Sequence, residues 1–283
     1  MSMVATEIYP EINGSFSFEI EKILYSERSP FQKIEIVESK KFGRVLFIDG
    51  FIMLTERDEF VYHEMMAHVP LFVHPNPRRI LVIGGGDGGT VRECLRHSTV
   101  EQVDLVEIDE MVTQACLQYL PSVANELSSE RVICKFEDGV AYVKSAEQRY
   151  DVVMIDSTDP ISVGEGLFTR EFYRDCFHIL NEDGILVNQS ESPSWLPEIV
   201  RGIYNKLSAV FPKVDFYQAH IPTYPSGHWS FGFASKIYDP LKDFQKARYR
   251  NSNLEFRYYN EVLHTGAFAL PTFFQNLCTV RKL

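Results

Sequence analysis

The sequence predicts an α/β fold in which a small N-terminal antiparallel β-domain precedes a larger domain built on a mostly parallel sheet. Three observations carry this. Residues 15–55 run in short alternating segments separated by turn formers. Between residues 80 and 188, strand-like and helix-like runs alternate. The first of those strands runs straight into Gly84-Gly85-Gly86-Asp87-Gly88-Gly89.

In the first region, Phe16-Ser17-Phe18-Glu19-Ile20 and Gln32-Lys33-Ile34-Glu35-Ile36-Val37 alternate apolar and polar residues, and Ser29-Pro30, Phe42-Gly43 and Asp49-Gly50 break them. This reads as one small antiparallel sheet. Residues 58–72 switch to near-helical spacing, with Thr55 to Asp58 as a loose capping signal. Pro70, Pro75 and Pro77 are expected to end that helix and open a linker. The domains are set at 1–56 and 57–283. Strands are predicted at 80–83, 103–108, 132–136, 151–155 and 185–188, with helices at 90–97, 110–119 and 170–180. That order calls for parallel strands joined by crossover helices. Residues 214–219 and 228–234 flank the turn-rich loop Ile221-Pro222-Thr223-Tyr224-Pro225-Ser226-Gly227, which joins two antiparallel strands.

With 45% apolar side chains, the chain can bury a large core. Its formal net charge is -11 and it has no Lys/Arg cluster, so it lacks a footprint for nucleic acid or anionic lipid; an acidic surface suits cationic ligands. Cys94, Cys116, Cys134, Cys176 and Cys278 are scattered, with no Cys-x-x-Cys spacing, which argues against a zinc site and for a reducing compartment. The first nine residues lack a basic region followed by an apolar run, and no apolar stretch is long enough to span a bilayer. The expected location is the cytoplasm.

Gly84, Gly86 and Gly89 satisfy a dinucleotide fingerprint at a strand end, where backbone can approach a ligand. Asp87 argues against a phosphate there, because a carboxylate at a helix N-terminus repels phosphate and attracts an ammonium; it also suits a simple helix cap. The next strand ends at Glu107, placed to accept both hydroxyls of a ribose, and the third at Glu137-Asp138-Gly139, which suits an adenine amino group. Each is ambiguous alone. Three successive acidic strand ends along one sheet edge point to an adenosine-bearing ligand. The fourth strand ends in Asp156-Ser157-Thr158-Asp159-Pro160, followed by a glycine-containing segment at 161–168 able to act as a lid. One of its carboxylates can serve as a base and the other as an ammonium clamp. An amine with a pKa near ~10 must lose its proton before it attacks, and a carboxylate near ~4 is a weak base for that unless the site shifts the balance. Tyr62, His63, Tyr224, Trp195 and Trp229 supply aromatic faces for an aliphatic dication, with Glu191 and Trp195 as candidates for its distal end.

Taken together, these residues resemble the spermidine synthases over about residues 16–270. The most specific pieces are Asp58-Glu59-Phe60-Val61-Tyr62-His63-Glu64-Met65, the glycine loop, Asp156-Ser157-Thr158-Asp159-Pro160, the loop from Ile221 to Gly227, and Arg257-Tyr258-Tyr259-Asn260. The resemblance implies a methyltransferase-like, Rossmann-type catalytic domain and a homodimer or homotetramer. It implies that Asp156 is the proton acceptor and that Asp87 binds an aminopropyl ammonium. Gln32, His63, Glu107, Asp138 and Gly139 would contact the donor nucleoside, and Tyr62, Ser157, Thr158, Asp159 and Tyr224 the acceptor amine. The implied reaction moves the aminopropyl group of decarboxylated S-adenosylmethionine onto putrescine, giving spermidine and methylthioadenosine, with no metal and no further cofactor. Agmatine, cadaverine or diaminopropane are alternative acceptors; a methyltransferase using intact S-adenosylmethionine and a non-catalytic polyamine-binding protein are alternative functions. One departure stands out: Ile161, Ser162 and Val163 follow Asp159-Pro160 where many bacterial members carry Gly-Pro.

Overall fold

The computed structural model describes residues 3–158 and 162–279. Strands β1 (Met3–Tyr9) and β2 (Gly14–Ile20) form an antiparallel hairpin of their own. Strands β3 (Lys22–Arg28), β4 (Lys33–Ser39), β5 (Gly43–Ile48) and β6 (Phe51–Thr55) form a separate four-stranded antiparallel sheet in sequence order. The sequence reading merged the two and left β1 unread. The reason lies in β1 itself: it turns Glu7 and Tyr9 inward and leaves Val4 and Ile8 exposed, which inverts the usual alternation.

Helix α1 (Glu59–Val73) is buried along its whole length except at Phe60. It runs through Pro70, which was expected to end it; the stop is His74, whose extended backbone donates to the Pro70 carbonyl at 2.9 Å. A proline inside a helix costs about 3 kcal/mol, and burial of Val69, Leu71, Phe72 and Val73 offsets it. Asp58 does not cap the helix through its side chain. Its carboxylate instead accepts from the Thr223 backbone at 3.1 Å and from the Thr223 hydroxyl at 2.8 Å. Asp58 thereby ties the loop that carries Tyr224 to the start of the helix that carries Tyr62. Farther along α1, Glu64 accepts the backbone N–H groups of Arg257, Tyr258 and Tyr259 at 2.8, 2.8 and 2.7 Å, so three successive donors of the C-terminal segment close on one buried carboxylate.

The elements that follow in chain order are β7 (Arg79–Gly84), α2 (Gly89–Leu95), β8 (Gln102–Glu107), α3 (Glu110–Tyr119), α4 (Pro121–Ala124), β9 (Val132–Phe136), α5 (Gly139–Ser145), β10 (Tyr150–Asp156), α6 (Arg170–Ile179), β11 (Leu180–Gln189), α7 (Pro197–Ser208), β12 (Lys213–His220) and β13 (His228–Ser235). They build a seven-stranded sheet in the order β12-β13-β11-β10-β7-β8-β9, parallel from β11 to β9, with β13 antiparallel to both its neighbours. Ile80, Leu81, Val82 and Ile83 are all buried, as a strand covered on both faces requires. Ile80 and Val82 join one apolar cluster with α1, while Leu81 and Ile83 join another with α6 and α7. Because β8 and β9 lie to one side of β7, and β10 and β11 to the other, the carboxyl end of β7 is the switch point where such sheets open a crevice. The short helices α8 (Lys246–Asn251), α9 (Glu261–Ala267) and α10 (Thr272–Gln275) complete the described chain. No helix of the described residues is long and apolar enough to cross a membrane.

Candidate active site

A single cavity opens at that switch point, and most sequence-selected residues line it: Gln32, Tyr62, His63, Asp87, Glu107, Asp138, Gly139, Asp156, Ser157, Thr158 and Tyr224. Asp159, Pro160 and Ile161 lie outside the described residues, as do the side chains of Ser162 and Val163. From the expected lid, a 3-10 helix at Ser162–Phe168 brings Gly164 and Leu167 to the cavity wall. Glu191 and Trp195 are not among the lining residues; Trp195 packs edge-on against Tyr9 with centroids 5.1 Å apart.

Asp156 closes β10 beside Gly84 of β7. Its Oδ1 accepts the Tyr62 hydroxyl at 2.6 Å, and its Oδ2 accepts the Thr90 hydroxyl at 2.6 Å. Burial, and then the negative charge of Asp87, raise its pKa above the ordinary carboxylate value. The carboxylate is therefore a stronger base than its residue type suggests. Asp87 goes the other way: burial works against its charge, but His63 and the Gly89 N–H hold its carboxyl below the usual range. Its Oδ1 accepts Gly89 N–H at 2.8 Å and lies 3.3 Å from His63 Nε2, so it supports the start of α2 and still faces the cavity. Two neighbouring carboxylates whose proton affinities are driven apart form an arrangement in which one stays ionised while the other can take up a proton.

Glu107 ends β8, where it accepts the Asp109 N–H at 2.9 Å and the Gly86 N–H at 3.2 Å. Burial pushes its carboxyl up to about 7 despite those donors. Asp138 caps α5 by accepting the Val140 N–H at 2.8 Å, and Gly139 keeps the floor open, since a Cβ there would lie 2.6 Å from Ile83 Cγ2. Gln32 reaches in from the β3–β4 turn and donates to Asp109 Oδ2 at 3.0 Å. The Tyr224 hydroxyl donates to the Met53 carbonyl, and its ring lies 5.9 Å from that of Tyr62. The Ser157 hydroxyl and the Trp229 indole N–H are buried in the wall with no hydrogen-bond partner among the described residues. Away from this cavity, His74, Asp151 and Asp183 bring ligand-type atoms within 4.8 Å of one another. There His74 Nδ1 accepts the Asn76 N–H at 3.2 Å, which leaves the proton on Nε2 and no lone pair there for a metal.

The family model described as Spermine/spermidine synthase domain matches residues 59–246, and that described as Spermidine synthase tetramerisation domain matches residues 3–56. The chain belongs to the spermine/spermidine synthase family. It is 50% identical over 275 residues to a polyamine aminopropyltransferase of Clostridium botulinum (strain Alaska E43 / Type E3), spanning 96% of each protein. It is 52% identical over 266 residues to one from Clostridium perfringens (strain 13 / Type A), spanning 93% of each. Among solved structures, a spermidine synthase in complex with the transition state analogue AdoDATO matches with a TM-score of 0.96 at 42% identity, covering 98% of this chain and 94% of that one. A spermidine synthase from Thermotoga maritima matches with a TM-score of 0.93 at 40% identity and the same coverage. The protein is an enzyme, a polyamine aminopropyltransferase with the mostly parallel, Rossmann-like sheet of its family.

Within this spermidine synthase framework, sequence reasoning missed Glu7 and Gln189. Glu7 comes from β1, is 3% exposed, accepts the Tyr9 hydroxyl at 2.6 Å and lines the cavity. The available signal was a lone acid on the inward face of a strand, visible only once β1 and its register are known. Gln189 ends β11, one strand beyond the last strand end that the acidic pattern marked. Leu46, Ile48 and Met53 of the four-stranded sheet also line the cavity, so the N-terminal strands form part of its wall.

Proposed function

We propose that this enzyme moves the aminopropyl group of decarboxylated S-adenosylmethionine onto putrescine, giving spermidine and methylthioadenosine. The observation that carries the reading is the pair Asp87 and Asp156: two carboxylates facing one cavity, one held ionised beside His63 and the other given a raised proton affinity. Asp87 takes the donor's ammonium, and intact S-adenosylmethionine would bring its own carboxylate against that charge. Asp156 takes a proton from the attacking ammonium. The freed amine displaces sulfur from the adjacent methylene; the new C–N bond forms as the C–S bond breaks, and the bonding pair leaves on sulfur as a neutral thioether. No acid is required for that leaving group.

Glu107, Gln32, Asp138, Gly139 and His63 are assigned to the nucleoside side, and Tyr62, Ser157, Thr158, Asp159 and Tyr224 to the acceptor. Glu7 adds a further carboxyl group to the same cavity and is assigned to a diamine's far ammonium. No metal or further cofactor enters these steps. The match of the tetramerisation domain over residues 3–56 supports a homodimer or homotetramer, and five cysteines outside any disulfide suit the cytoplasm.

Mass spectrometry of reactions offering the decarboxylated donor with putrescine, cadaverine, diaminopropane and agmatine tests the reading. The expected product is the amine plus one aminopropyl group, with the highest kcat/KM for putrescine. Methyl transfer from intact S-adenosylmethionine would overturn it.

Glu107 adds a pH dependence. Ribose hydroxyls donate to an ionised carboxylate, while the empty site holds the proton up to about pH 7. Below that value nucleoside binding must expel a proton, so methylthioadenosine affinity is expected to rise from pH 6 to 8, by at most about tenfold per unit below the pKa. Calorimetry on Glu107→Gln should show weaker binding with that slope removed.

A further inference from the structure

His63 lines the cavity, but one of the two carboxylates that fix it does not. Its Nδ1 lies 2.6 Å from Glu59 Oε2, and its Nε2 lies 3.3 Å from Asp87 Oδ1. An ionised carboxylate only accepts, so a ring with carboxylates at both nitrogens donates from both, which is the imidazolium form. Burial opposes that charge, yet Asp87 and Glu59 push the ring's pKa up to about 10. Glu59 Oε2 also accepts Arg92 Nη2 at 2.8 Å. Arg92 is anchored in turn, Nε to Glu93 Oε1 at 3.0 Å and Nη1 to the Ser122 carbonyl at 3.1 Å. The imidazole lies so close over Gly89 that a Cβ there would fall 2.2 Å from His63 Cε1. The last glycine of the fingerprint thus makes room for a ring. The charged and titratable groups around His63 are Glu59 and Tyr62 on its own helix, Asp87 on the glycine loop, Arg92 on α2 behind Glu59, and Asp156 on β10.

We propose that Glu59 and Arg92, neither of which lines the cavity, are positioning residues. They hold His63 as an imidazolium between two carboxylates, so that Glu59, His63 and Asp87 together present one constant negative charge to the donor's ammonium. This rests on the donor assignment above. The arrangement matters because a histidine with one carboxylate partner would titrate much closer to neutrality and carry the local charge with it.

Glu59→Gln separates the two cases. In the variant the set has no net charge while His63 is protonated, and regains its negative charge only when the ring loses its proton. With one carboxylate gone, that loss moves from the alkaline range toward the ordinary value near ~6.5. The affinity for decarboxylated S-adenosylmethionine, measured by calorimetry, is expected to be about tenfold weaker than wild type at pH 6 and within about twofold at pH 9. Taking the ratio to wild type cancels the titration of Glu107, which both proteins share. Methylthioadenosine is neutral and lacks the aminopropyl arm, and His63 on its side of the cavity is retained, so its affinity should differ between the two proteins by less than about threefold, with no tenfold loss at pH 6.

A donor ratio that is the same at pH 6 and pH 9 overturns the proposal. A methylthioadenosine affinity that falls in step also overturns it, because the effect would then be a collapsed pocket. If the wild type binds methylthioadenosine but not the decarboxylated donor, the functional reading fails and this proposal with it. Should Glu59→Gln not fold, nitrogen NMR of the wild-type His63 ring, assigned by its loss in His63→Gln, decides the question. Both ring nitrogens are expected to be protonated at pH 7.5, and a single protonated nitrogen refutes the assignment.

Discussion

Asp156→Asn is expected to lower kcat by ~10²-fold or more while changing methylthioadenosine affinity by less than about threefold. The amide still occupies the carboxylate's volume; its oxygen can accept from one of Tyr62 and Thr90, and its NH2 can donate to the other hydroxyl once that hydroxyl turns, so the cavity keeps its walls. What disappears is the basic oxygen to which the proposed mechanism assigns the proton. In the native enzyme burial and the nearby Asp87 raise this carboxyl's proton affinity, which narrows its gap to an ammonium and makes the transfer less uphill. Steady-state kinetics with the decarboxylated donor, paired with calorimetry on the product nucleoside, gives both numbers. Turnover within about fivefold of wild type would remove Asp156 from the chemistry. A parallel collapse of nucleoside binding would mean that the substitution deformed the pocket.

Much of this site was legible from the sequence because it sits at strand ends. The parallel-sheet alternation locates Gly84, Glu107 and Asp156 at the carboxyl ends of β7, β8 and β10, and a sheet of this order brings those ends together. Local rules suffice there. Glu7 was illegible because its strand inverts the hydrophobic alternation, with Val4 and Ile8 outside and the acid inside. Pro70 misled for a different reason: helix α1 is buried nearly all round, and tertiary packing outweighs a local breaker. Thr55 to Asp58 read as a capping signal, and the Thr55 hydroxyl does donate to Asp58 at 2.6 Å, but Asp58 also accepts from Thr223, 165 residues away, and no periodicity reports a contact of that span. The charge on His63 likewise depends on Asp87, a residue of another element.

Gly84→Ala is expected to destabilise the fold by about 3 kcal/mol or more, read as a lower midpoint of urea unfolding at an unchanged slope. Gly84 has φ +77°, a conformation that costs an L-residue about 1–2 kcal/mol. The larger contribution is steric. An added Cβ would sit 2.2 Å from the Asp156 carbonyl oxygen and 2.9 Å from its carbonyl carbon, both backbone atoms that cannot rotate away. Relief requires β7 and β10 to separate at their paired ends, Gly84 against Asp156. Any folded variant should therefore also lose turnover, because Asp156, the proposed proton acceptor, moves with its own backbone. A loss of stability under about 0.5 kcal/mol would show that the two strands are not held so closely.

The clasp that Glu64 makes on Arg257, Tyr258 and Tyr259 makes the helix that carries Tyr62 and His63 depend on a distant part of the chain. A chain cut short before Arg257 would leave a bare anion in the interior, adjacent in sequence to His63 and two positions from Tyr62. Truncation ahead of Arg257 is therefore expected to disturb the helix that carries Tyr62 and His63, although every residue that lines the cavity would still be encoded.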